Sequence, residues 1–254
     1  EKDHKADRLI EILSDRFNQL FENFDQKMGN QEGIQEFNHL LIDTASLFKI
    51  PNEHKNYGIV FNSIFLKYFQ FFVEKSDQIF QNEELAPCSL SLWLSIVKGK
   101  SRIKFPKYSP NGIILIKSSL KILSSFFNVF TQFANDETIG NYLKCLKRSL
   151  EIYNYLLVAN YVSFKVFFIY KDNSFVDSVN HILRSLMNFN LKNLFEFPKI
   201  GFILSNLAIN LFEKHNNLVF DLDNELICFL FSVLEISIFA PSFKYSSRIK
   251  KYEI

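Results

Sequence analysis

The sequence predicts an all-α fold, an α-α superhelix of the HEAT/armadillo kind in which antiparallel helix pairs stack into a solenoid. Three observations predict it. Apolar residues recur at steps of three and four along most of the chain, the spacing of one helix face. Glycine and proline are scarce, 7 and 6 among 254 residues, too few for the many tight turns of an all-β sandwich. The helical stretches also come as helix, short turn, helix, longer link, at irregular intervals of roughly fifty to sixty residues, somewhat above the ~40–47 of regular HEAT or armadillo units. One amphipathic pair cannot bury its own apolar face, whereas stacked pairs share a continuous core. A compact helical bundle is the alternative that the same pattern allows.

The elements follow in order. Leu9, Leu13, Phe17, Leu20 and Phe24 mark the buried face of a first helix. Ile34, Phe37, Leu41, Ala45 and Phe48 mark its partner, with Gly29 and Gly33 bracketing the turn and Pro51 marking the exit. One helix is expected from Tyr57 to Phe80, carrying Phe61, Phe65, Tyr68 and Phe72, and a second from Pro87, in its first turn, to Val97. After a link from Lys98 to Pro110, Ser109-Pro110 offers a capping hydroxyl and a proline that start a helix reaching Ala134. Ile139, Leu143, Leu146, Leu150, Tyr153 and Leu157 define its partner. Further helices are expected over Ser174–Phe189, Pro198–Lys214 and Asp223–Phe239, while Val162–Tyr170 reads equally as a strand or a short helix. Residues 1–254 read as one continuous helical-repeat segment, and the absence of an initiating Met suggests a piece of a longer protein.

Composition excludes several classes. With 48% hydrophobic and 16% aromatic residues the chain is too apolar to be a disordered tether. A net charge of +2 lacks the basic excess of a dedicated nucleic-acid binder, so no direct nucleic-acid contact is expected. The apolar runs are broken by Lys67, Lys117, Lys165 and Glu235, which argues against a membrane span. No secretory signal opens the sequence and no Asn-x-Ser/Thr acceptor occurs. Cys88, Cys145 and Cys228 are too dispersed for a disulfide framework and read as small core residues in a reducing compartment.

Catalytic and cofactor chemistry is not legible. His4, His39, His54, His181 and His215 have no metal-ligand spacing, and His181, between Val179 and Ile182, reads as structural or exposed and not as a ligand. There is no phosphate-binding glycine loop, dinucleotide fingerprint or nucleophile elbow. Glu83-Glu84 reads as solvated loop charge, and Trp93 at helical spacing reads as core. No catalytic residue, metal or cofactor is therefore expected, and the chain is read as a non-enzyme. One charged segment stands apart. Lys98, Lys100, Arg102, Lys104 and Lys107 alternate with Gly99, Ser101, Ile103 and Phe105 in an inter-helix link. They read either as a solvated loop with Ile103 and Phe105 tucked inward, or as a contact that speeds association with an acidic partner.

Three segments carry a family resemblance. Arg102-Ile103-Lys104-Phe105 with Ser109-Pro110-Asn111-Gly112-Ile113-Ile114-Leu115 is the first. Tyr161-Val162-Ser163-Phe164-Lys165-Val166-Phe167, with Tyr170 and Asp172, is the second. Leu194-Phe195-Glu196-Phe197-Pro198-Lys199-Ile200 is the third. In this order they resemble the exportin-7 family of nuclear transport receptors, in the importin-β superfamily, over roughly Leu85 to Phe239. Lys165 and Phe168 depart from the family pattern, and residues 1–84 match only as generic helical repeats. The resemblance implies a fragment of the later HEAT repeats of a receptor that shuttles between nucleus and cytoplasm. It implies Ran GTPase, cargo proteins and nuclear pore proteins as partners of the full-length protein. A scaffold or adaptor subunit of another cytoplasmic complex is the alternative function.

Overall fold

The computed structural model of the chain describes residues 2–49, 54–98, 105, 109–133, 139–158, 161 and 163–239. Among these residues every regular element is helical. The first pair is α1 (Lys2–Glu22) and α3 (Gln31–Lys49), joined through the single turn α2 (Phe24–Met28). The second is α4 (His54–Val60), a π-helical turn (Phe61–Phe65), α5 (Leu66–Glu74) and α6 (Ser76–Gln81), returning in α7 (Leu85–Val97). The third is α8 (Asn111–Phe130), a short 3-10 turn (Thr131–Phe133) and α9 (Ile139–Val158). The fourth runs through α10 (Lys165–Ile169), α11 (Ser174–Met187), α12 (Leu191–Phe195) and α13 (Pro198–Lys214). Then come α14 (Asn216–Phe220) and α15 (Asn224–Phe239).

The layers stack in two rows. In one, α3 packs on α7, α7 on α9 and α9 on α13; in the other, α5 and α6 pack on α8, α8 on α11 and α11 on α15. The main helix contacts lie within a layer or between successive layers, which is solenoid stacking and not the closed contact pattern of a bundle. Aromatic rings thread the shared core. Phe17 of α1 meets Phe72 of α5 edge-on at 5.9 Å, and Phe72 meets Trp93 of α7 at 6.4 Å. Phe80 of α6 meets Phe126 of α8 at 5.7 Å, and Phe130 stacks on Phe189 at 4.6 Å. Phe17, Phe37, Phe48, Phe61, Phe80, Phe126, Phe127 and Phe130 are sealed from solvent, so the phenylalanine richness is spent on the interior.

Gly33 sets the tight crossing of the first pair. A Cβ there would lie 2.3 Å from the Lys27 carbonyl oxygen, so α3 approaches α2 only because this residue has no side chain.

Several expectations are corrected. The buried face of α1 begins at Ile10, while Leu9 is exposed; the later positions Leu13, Phe17, Leu20 and Phe24 are buried as expected. The expected Tyr57–Phe80 helix is broken at Lys75, where the Ser76 hydroxyl donates to the Val73 carbonyl and the chain re-enters as α6. It also holds the π-helical turn, whose extra residue lets Phe61, Phe65 and Phe69 stack in a row at 4.6 and 5.5 Å. The ambiguous Val162–Tyr170 stretch contains the short helix α10. Of the cysteines only Cys145 is buried; Cys88 is half-buried and Cys228 exposed. By length and composition α8 could cross a membrane, but 67% of its apolar window is buried inside the protein, because α8 is packed by α5, α6, α9 and α11 at once.

Candidate partner-binding surface

The basic link begins where α7 ends. Lys98, the last described residue of α7's exit, is exposed; Lys100, Arg102, Lys104 and Lys107 lie outside the described residues, as does Ile103. Phe105 is half-buried and packs inward, the placement that the solvated-loop reading gives it. Its ring lies 5.0 Å from Phe61 and 6.4 Å from Tyr161, centroid to centroid.

The base of this link is held by two tyrosines, Tyr57 from α4 of the same layer and Tyr161 from the connection between α9 and α10. The last carbonyls of a helix lack intrahelical donors and need partners from elsewhere. The Tyr57 hydroxyl donates to the Ile96 carbonyl at 2.7 Å, and the Tyr161 hydroxyl donates to the Val97 carbonyl. Burial pushes both phenols above their ordinary range, so each remains a protonated donor. Gly112, in the first turn of α8, closes the same node: a Cβ on it would lie 2.4 Å from the Tyr161 carbonyl oxygen. The Ser109 hydroxyl accepts from the Asn111 amide at 3.2 Å, but Pro110 and not Ser109 occupies the cap position of α8, so the expected serine cap is corrected to a local turn contact just before the helix. The first and second resemblance segments, about fifty residues apart in sequence, are thus one packed junction.

The remainder of the second segment splits between core and surface. Phe167 and Phe175 are buried, whereas Ile169 and Tyr170 are exposed at 74% and 78%. Lys171 then takes a left-handed turn at φ 53°, swinging Asp172 back toward the protein. The Asp172 carboxylate accepts from Lys117 of α8 at 2.8 Å and from the Ser174 amide at 3.0 Å. The Lys117 and Ser174 hydrogen bonds hold that carboxyl down to about 2. In the third segment Leu194 and Phe195 are buried, Pro198 begins α13, and Phe197 is largely exposed.

Histidines and carboxylates do not gather. Among the described residues no group of three His, Cys, Asp or Glu side chains could hold a metal ion. His181 is half-buried, its Nε2 3.4 Å from the Ser124 carbonyl; Glu84 is exposed and accepts from Gln31. Trp93 is core, flanked edge-on by Phe65 and Phe72. His215 ends α13 with its Nε2 3.0 Å from the Leu157 carbonyl and its ring edge-on to Phe164 at 4.7 Å. The apolar void between Phe48, Phe65, Phe72 and Trp93 has about 10 Å³, space for one water at most. The roomier clefts are open surface grooves. One of about 490 Å³ has Phe167, Phe175 and Val176 among its lining residues, with Asp172, Asp177 and Asp221. Tyr170 and Phe197 were named from sequence only within the resemblance segments, and nothing there marked them or Ile169 as exposed, because an aromatic run at helical spacing carries no mark of which ring faces water.

Comparison with known proteins extends the resemblance along the chain. Exportin-7-B of Xenopus laevis is 21% identical over 237 residues, which is 91% of this chain and 22% of that protein. Ran-binding protein 17 of Mus musculus is 22% identical over 84% of this chain and 20% of its own length. Exportin-7 of Dictyostelium discoideum is 27% identical over 165 residues, 63% of this chain and 16% of that protein. The chain therefore spans about a fifth of the length of the curated relatives it matches. At 237 residues the longer of these matches exceeds the 155 from Leu85 to Phe239 and also the 170 from Leu85 to the end of the sequence, so it takes in part of the chain before Leu85. No family model and no solved structure matches.

Proposed function

We propose that this chain, a relative of exportin-7, forms part of the helical scaffold of a nuclear transport receptor that binds cargo protein and Ran-GTP. The observation that carries the reading is the similarity to Exportin-7-B along 91% of the chain, together with a two-row helical solenoid. The function is binding without covalent chemistry, and the full-length protein shuttles between nucleus and cytoplasm. Stacked layers supply the mechanism. Small rotations at each layer junction add up to a change of curvature, and each ligand favours the curvature to which it binds best. Ran-GTP and cargo would then be coupled through the shape of the superhelix, with no need for contact between them.

The test is recovery of bound proteins by the full-length protein with Ran-GTP or Ran-GDP. Nucleotide-dependent recovery is expected; equal recovery would overturn the transport reading and favour a Ran-independent scaffold. Within the same proposal, the segment Lys98, Lys100, Arg102, Lys104 and Lys107 contacts an acidic partner surface. Replacing all five by Ser should slow association and flatten its salt dependence, because exposed charges act mainly through encounter. Unchanged affinity and salt dependence would return the segment to the status of a solvated loop.

A further inference from the structure

The groove between the turn after α10 and the end of α14 holds apolar and acidic groups that the fold leaves without partners. Its floor is Phe167 and Phe175, both buried, with Val176 beside them. A large side chain stands in water on each rim. Ile169 and Tyr170, 74% and 78% exposed, precede the lining residue Lys171, and Phe220, 79% exposed, precedes the lining residue Asp221. Of the large apolar side chains among the described residues, only Phe239 is comparably exposed. A single apolar side chain at the surface needs no account, but three around one groove mark a contact site.

Local structure keeps Ile169 and Tyr170 outward. Lys171 is left-handed at φ 53°, a conformation that a residue with a Cβ holds only where its surroundings fix it. They do so here: the Asp172 amide donates to the Phe167 carbonyl at 2.8 Å, and Lys117 and the Ser174 amide secure the Asp172 carboxylate. Electrostatics add a sign. Lys117 cancels the charge of Asp172, while Asp177 in the first turn of α11 and Asp221 at the end of α14 form no salt bridge among the described residues. Lys171 offsets only one of these two carboxylates, so the groove stays negative. A negative groove repels nucleic acid and anionic membrane surfaces, and it favours a cationic protein partner.

We propose that this groove is a docking site for a protein segment that presents a bulky apolar side chain flanked by arginine or lysine. The apolar side chain covers Phe167, Phe175 and Val176 between Tyr170 and Phe220, and the cations meet Asp177 and Asp221. The inference rests on the reading of the chain as a binding scaffold and names the partner chemistry of one face; Ran has no part in it.

The experiment measures the fluorescence anisotropy of labelled peptides mixed with the 254-residue chain. Their cores are Arg-Phe-Arg, Glu-Phe-Glu and Arg-Gly-Arg, each in the same Gly-Ser background. Arg-Phe-Arg should bind at least about tenfold more tightly than either of the others, and added salt should weaken it. Asp177→Asn with Asp221→Asn, and separately Tyr170→Ser with Phe220→Ser, should each weaken that binding by about tenfold or more. Helicity and thermal unfolding should stay unchanged, since all four side chains are exposed. Lys171→Asn, which suits the left-handed turn and removes the competing cation, should tighten binding. Absence of Arg-Phe-Arg binding, or equal binding of the three peptides, would overturn the proposal. So would binding that survives both double substitutions, or self-association of the chain that Tyr170→Ser with Phe220→Ser abolishes, which would assign the groove to a second copy. None of these measurements requires Ran, so a negative result here is distinct from a failure of the nucleotide-dependence test.

Discussion

At the scale of single residues, the junction under the basic link rests on an atom that is missing. Gly112 lets the chain at Tyr161 pass within what would be 2.4 Å of a Cβ, and the obstructing atom is a backbone carbonyl that cannot rotate away. Gly112→Ala should cost about 1–3 kcal/mol, the range for forcing extra volume into a packed site, measured by urea unfolding. A neutral result would mean that Tyr161 is free to retreat. His215 makes a second prediction, of pH dependence. Burial among Phe164 and Phe175 is the largest cause that lowers its pKa below the ordinary 6.5, and neighbouring Lys214 acts in the same direction. The folded protein therefore takes up fewer protons than the unfolded chain as pH falls below 6.5. The stability held by the neutral ring is present above that value and is lost as pH falls through the folded one. Between about pH 7.5 and about pH 5.5 the wild type should lose more unfolding free energy than His215→Gln, and parallel losses would remove His215 from the account.

At the scale of elements, α8 is packed by α5, α6, α9 and α11, with Phe126 and Phe127 both sealed. Phe126→Ala should cost about 3–5 kcal/mol, because surrounding layers cannot collapse into the space without shifting whole helices. The start of α11 gives a milder case. Asp172 caps the Ser174 amide and pairs with Lys117, so Asp172→Ala should cost about 1 kcal/mol while Asp172→Asn, which keeps an acceptor, should cost less. Helix identity was legible in sequence wherever a long stripe repeated, as along Phe37, Leu41, Ala45 and Phe48, all buried. Interruptions were not. The π-helical turn and the break at Lys75 leave the apolar spacing between Tyr57 and Phe80 nearly unchanged, so periodicity runs straight through them. Leu9 and Ile10 show the finer limit: both are apolar, a step of one turns the face by about 100°, and only packing against the next layer chooses. Of the candidate contact segment, the inward anchor Phe105 was readable from alternation, whereas the tyrosine caps at Ile96 and Val97 join residues 39 and 64 apart that no local pattern connects.

At the scale of the whole molecule, a solenoid distributes its stability unevenly. An inner layer is held by two interfaces and a terminal layer by one, so each layer's resistance to opening depends on its place in the stack. The stacking of α3, α7, α9 and α13 puts α9 in the interior of one row, and α8 occupies the matching place in the other. The main neighbours of α15 among the described elements are α11, α12 and α13, and Phe231 and Ile238 on its outer side are exposed. α1 has the equivalent position at the other end, with Leu9 and Ile12 exposed. Amide exchange should therefore be slowest in α8 and α9 and fall away toward α1 and α15, with end layers opening without the middle. Uniform protection from α1 to α15 would instead mean one cooperative unit, too stiff to spread a change of curvature over its junctions. A gradient is the behaviour that a shape-coupled receptor needs, because layers that open separately can also rotate separately.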